Sequence, residues 1–169
     1  MIQSVNLYRY NYSEMRTYLV AALFVVGNLL LPQLVHLVPQ GGMIWLPIYF
    51  FTLVAAYKYG WKVGLLTAVA SPVVNSAIFG MPAVQMLPVI LTKSVLLAVA
   101  AGFVANRFKK ATLLLFAVVV VAYQTVGSLA EWLYTGSADA ALQDVRLGLP
   151  GMLLQVVGGW LVVKYLIRR

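Results

Sequence analysis

Apolar runs interrupted at intervals by charge, glycine or proline set the plan of this chain. They cover about Thr17–Leu37, Met43–Tyr57, Val63–Phe79, Ala83–Asn106, Ala111–Tyr134 and Leu147–Ile167. A helix needs ~20 apolar residues to cross a hydrocarbon layer roughly 30 Å thick, and all but the short second run approach that length. The pattern predicts an all-α integral membrane protein: one domain over residues 1–169, built as a bundle of six transmembrane helices. The breaks are VPQGG (Val38–Gly42), a basic aromatic stretch Lys58–Lys62, a Met81-Pro82 turn, a basic turn around Arg107–Lys110, and a polar loop through Gly136, Asp139 and Asp144.

The polar residues inside these runs are few, and they fall on particular faces. Gln124, Ser128 and Glu131 stand at i, i+4 and i+7 of the fifth run, one face of a helix. The sixth run carries Gly148, Gly151, Gln155 and Gly159 along a stripe. Met86 and Lys93 share a face of the fourth run, with Gln85 at its rim. Ser71 and Asn75 lie late in the third, and Asn28 sits midway along the first. The other halves are almost purely aliphatic, as in Val95–Val99 and Leu113–Val121. Polarity that stops near mid-depth describes a pocket closed at one end better than a pore or proton path, whose polar groups continue across. Spacings such as Gly60–Gly64–Ala68, Ala98–Gly102 and Gly151–Gly159 read as packing seams.

Charge adds an orientation. Only 9% of the 169 residues are charged, with twelve Lys and Arg against four Asp and Glu. Ten of the twelve cations fall on alternate turns: Arg9, Arg16, Lys58, Lys62, Arg107, Lys109, Lys110, Lys164, Arg168 and Arg169. By the positive-inside rule this side is cytoplasmic and holds both termini. The expected location is the cell (cytoplasmic) membrane, multi-pass. The cations punctuate apolar segments instead of forming one solvated face, so nucleic acid is not an expected partner; the lipid bilayer is.

Lys93 is the exception to that sidedness. It lies ten residues past Ala83, ~15 Å along a helix, near the middle of the apolar layer. A lysine there costs about 2.5–3.5 kcal/mol on insertion scales and requires a partner. Glu131 is the one acid within the outer half of a span, ~5 Å below the boundary at Tyr134. The difference in depth favours a Lys93 that neutralises an anionic substrate group, most simply a carboxylate, over a direct Lys93–Glu131 ion pair.

No cysteine is present, which excludes thiolate metal sites and thiol nucleophiles. The motifs GxxxxGK[ST], HExxH and GxSxG are likewise missing, so neither a phosphate loop nor a catalytic centre of those kinds is expected. The expectation is a non-enzyme without cofactor or metal.

Several short motifs carry a resemblance to a known family. They are Leu46-Pro47, Gly60-x-x-x-Gly64, Phe79-Gly80-x-Pro82, Leu87-Pro88 followed by Lys93, and Ala101-Gly102 before Arg107. With its length, six helices and cytoplasmic ends, the chain resembles the substrate-binding S-component of energy-coupling factor (ECF) vitamin transporters. The resemblance implies a subunit that captures a vitamin-like small molecule in an outward-facing pocket and works with a membrane coupling protein plus two ATPase subunits. It implies a pocket in the outer half from Lys93, Gln85, Met86, Gln124, Ser128, Glu131 and Gln155, with Gln40 and Trp45 from the first loop region; Asn75 joins the expected substrate-binding residues from the polar pattern of the third run. In the family, small residues on the first helix, commonly Ala-x-x-x-Ala, contact the coupling protein. This chain has Ala21 and Ala22 followed by Val25 and Val26, a departure from that pattern. A small membrane scaffold protein is the alternative reading, and it leaves the one-sided polar convergence unexplained.

Overall fold

In the computed structural model, which describes residues 6–166, every regular element among the described residues is helical. The helices are α1 (Met15–Val35), α2 (Gly41–Trp45), α3 (Phe50–Tyr59), α4 (Trp61–Phe79), α5 (Leu87–Phe108), α6 (Leu113–Thr135), α7 (Ala138–Leu147) and α8 (Leu149–Leu161). Short 3₁₀ turns at Pro47–Tyr49 and Val84–Met86 lead into α3 and α5, and a π-helical turn, Val162–Leu166, extends α8. Four helices are long and apolar enough to cross a membrane: α1, α4, α5 with its leading turn, and α6. The α7–α8 pair makes a fifth if its two helices, bent by 52° at Gly148, count as one span. This is the architecture of a multi-pass membrane protein.

The second expected span is not a continuous helix. Pro47 supplies no N–H and disfavours right-handed helix at the preceding residue. Leu46 turns into the left-handed region (φ 46°, ψ 48°), and the chain re-enters a helix only at Phe50. What remains, α3, is ten residues long and is the best-buried element: Thr52 through Lys58 are all inside. It packs against α1, α4, α5 and α8. Asn28 of α1 secures its start. The Asn28 carbonyl accepts the Phe51 N–H (3.2 Å), one of the first-turn donors a helix leaves unpaired, while its amide donates to Thr52 Oγ1 (3.0 Å) and Ser71 Oγ (3.1 Å). One residue thereby ties α1, α3 and α4.

Within an apolar solvent, helices associate through close packing and hydrogen bonds, because burying a leucine against protein gains little over lipid. The glycine seams supply the packing. A Cβ on Gly64 would strike Ala56, one on Gly102 would strike Trp61, and one on Gly159 would crowd Leu53 and Phe116. Gly151 lies against the Ile44 and Trp45 carbonyls, seating α8 on the backbone of α2. The basic turns meet at one end of the bundle. There Tyr57, stacked on Phe116 at 4.2 Å, donates to Lys110 O (2.6 Å), and Trp160 donates to Ala111 O (3.2 Å). Arg168 and Arg169 lie outside the described residues.

The expected polar loop after α6 is a helix. Ser137 caps α7 by accepting the Ala140 N–H (3.2 Å), and Asp139 sits in its first turn, where negative charge is favoured. Its Ala138, Ala141, Leu142 and Val145 line a cleft against α6, and Asp144 reaches into the bundle.

Candidate functional site

Lys93 is fully buried, and α5 holds it against α6: its stem crosses Gly127 so closely that a Cβ there would come within 2.7 Å of Cγ. Its ammonium reaches two carboxylates. Nζ lies 2.6 Å from Glu131 Oε2 on α6 and 2.6 Å from Asp144 Oδ2 on α7. Glu131 is 5% exposed and Asp144 24%. The depth argument against a direct Lys93–Glu131 pair is therefore overturned. A long side chain climbs along the helix it packs on, and the glycine at position 127 clears its path. The second acid was assigned to a loop and enters because that loop is helical. A cation matched by two carboxylates holds no positive charge in reserve for an anionic ligand.

Beside this cluster lies a half-open cleft of about 480 Å³ between α6, α7 and α8. Its wall is chiefly apolar: Val121, Leu129, Trp132, Ala141, Leu142, Val145 and Met152. Gln124, Thr125 and Ser128 of α6 are its polar lining residues. Gln124 and Ser128 are buried, and neither Gln124 amide atom nor Ser128 Oγ has a hydrogen-bond partner among the described residues. Two further buried groups, Gln155 Nε2 on α8 and Ser94 Oγ on α5, are also unpaired. Leaving such a group unpaired costs about 1–3 kcal/mol.

The remaining expected site residues are placed as follows. Gln155 is fully buried and accepts from Tyr123 OH (2.9 Å), holding α8 to α6, and it is not on the cleft wall. Asn75 is buried but engaged, accepting from Gln33 Nε2 (3.3 Å). Gln85 and Met86 are exposed in the turn before α5. Gln40 is exposed in a left-handed turn, and Trp45 is 38% exposed at the end of α2. None of these six lines the cleft. Of the residues expected to dock a partner, Ala21 faces the bundle interior and Ala22 its outer surface.

Asp144 and Met152 are parts of the site that the sequence reading did not pick out. A signal for Asp144 was present: Ser137 three residues before Ala140, with Ala141, Leu142 and Val145 at helical spacing, is a helix start followed by an apolar face. Compared with protein-family models, curated proteins and solved structures, the chain finds a match in none of the three.

Proposed function

We propose that this protein is a substrate-binding membrane subunit, in the manner of an ECF-type S-component, which captures a vitamin-like small molecule in the cleft between α6, α7 and α8. The observation that carries the reading is the pair Gln124 and Ser128: two residues lining a chiefly apolar cleft, whose three side-chain polar atoms lie buried behind its surface without a partner among the described residues. A volume near 480 Å³ suits a small organic molecule. A ligand with an apolar body and neighbouring hydrogen-bonding groups would satisfy the amide and the hydroxyl together. The matched Lys93 favours a neutral or cationic group there over the carboxylate expected from sequence.

On this reading both termini are cytoplasmic, the cleft opens outward, and the membrane is the cytoplasmic one. Uptake against a gradient then requires an ATP-driven partner, a membrane coupling protein with two ATPase subunits.

The test combines identification with mutation. Mass spectrometry of the purified protein should find a bound small molecule. Gln124→Leu and Ser128→Ala should each weaken its binding at least tenfold while leaving thermal stability equal or higher, since each removes an unpaired buried group. A protein that emerges empty and loses stability in both variants refutes the proposal and favours the scaffold reading.

A further inference from the structure

A second cavity, of about 780 Å³, lies at the basic end of the bundle, remote from the cleft. Its roof is the segment before α1. Tyr8 N donates to Lys58 O (2.8 Å) and Tyr10 N to Tyr59 O (3.2 Å), so residues 8–10 cross the end of α3 as a strap. Gly60, beneath the strap, takes φ 100°, a backbone conformation that residues with a side chain rarely adopt. The walls come from Asn11, Tyr57, Trp61, Gly102, Ala105 and Asn106.

Among the described residues three cations line this cavity, Arg9, Lys62 and Lys109, and no carboxylate does. Their partners are neutral. Arg9 Nη2 donates to Asn106 O at 3.4 Å, and Lys62 donates to Asn11 Oδ1 and lies over the Tyr12 and Trp61 rings. Lys58, buried next to the strap, donates to Asn6 O (2.6 Å) and lies 5.2 Å from the centre of the Tyr8 ring. Of the chain's four acids, Glu131 and Asp144 are committed to Lys93 and Asp139 to Arg146. Glu14 accepts the Asn11 N–H (2.9 Å) and is not on the cavity wall. Concentrated positive charge around a cavity, with only neutral partners there among the described residues, is a setting that favours anion binding.

We propose that this cavity binds a phosphate group, with Arg9, Lys62 and Lys109 as its cationic contacts. The planar guanidinium of Arg9 matches phosphate oxygens two at a time, and the lysines add point charge. The volume exceeds that of a phosphate alone and leaves room for a substituent such as a glycerol headgroup. Two sources share this chemistry: the phosphodiester of an anionic lipid and a free phosphate compound.

The experiment uses the full chain, delipidated in a neutral detergent. Thermal stability is followed while short-chain phosphatidylglycerol, phosphatidylcholine of the same chain length, or inorganic phosphate is added, the last against chloride at equal ionic strength. Saturable stabilisation by phosphatidylglycerol alone identifies the lipid source; a phosphate effect, with or without it, identifies the free anion. Arg9→Gln and Lys109→Gln, both at exposed positions, should each weaken binding about fivefold. Arg107→Gln, at the same end but outside the cavity, should leave it unchanged. The proposal is overturned if phosphatidylcholine equals phosphatidylglycerol and phosphate equals chloride, or if Arg107→Gln weakens binding as much as the cavity variants.

Discussion

Replacing Lys93 by Met keeps the length of the side chain and removes its charge. In a bilayer that substitution alone should help, because it relieves a lysine's insertion cost of about 2.5–3.5 kcal/mol. The structure predicts the reverse. Glu131 and Asp144 both approach the same Nζ at 2.6 Å, so the variant leaves two carboxylates close together with no cation between them. Removing one partner of a buried pair typically costs 3–5 kcal/mol. Asp144 is 24% exposed, so its share is discounted for screening by water, and Glu131, at 5%, carries most of the penalty. The net expectation is a loss of about 3 kcal/mol, or on the order of 10 °C in the unfolding midpoint for a chain this size. Glu131→Gln should cost less than Lys93→Met, and Asp144→Asn least. The deciding variant is the triple Lys93→Met, Glu131→Gln, Asp144→Asn. It keeps the shapes and removes every charge, so it should recover most of the lost stability. The assay is thermal unfolding of each purified variant in one detergent, read by intrinsic fluorescence. Wild-type stability in Lys93→Met, or a triple variant no better than the single, would refute the argument that matched charge holds α5, α6 and α7 together.

Two other predictions test the fold. Asn28→Leu removes the group that caps α3 and strands the Phe51 N–H, Thr52 and Ser71, so it should cost about 2 kcal/mol, whereas Ser71→Ala, which removes a single acceptor, should cost well under half of that in the same unfolding assay. A cysteine placed at Ser137 of this cysteine-free chain should react with an impermeant thiol reagent in intact cells, and one at Lys109, at the basic end, should not; the opposite labelling would invert the orientation of the cleft.

The hydrophobic pattern by itself determined much about this protein. It marked the membrane-length helices, the single Gln124–Ser128–Glu131 face, the basic end and the glycine seams, because each depends on local spacing or on transfer out of water. It also flagged Lys93 as a residue in need of a partner. Only the tertiary structure decided who the partners are. Asp144 lies fifty-one residues from Lys93 in the chain, and it arrives because a capped, amphipathic α7 folds back over α6. Nor could the pattern separate neighbours such as Ala21, inside, from Ala22, outside, or the exposed Gln85 and Met86 from the buried Gln124. Hydropathy measures the preference for leaving water, and lipid and protein interior satisfy that preference almost equally. Which apolar face meets lipid, and which polar group meets another, is settled by the packing of the helices against one another.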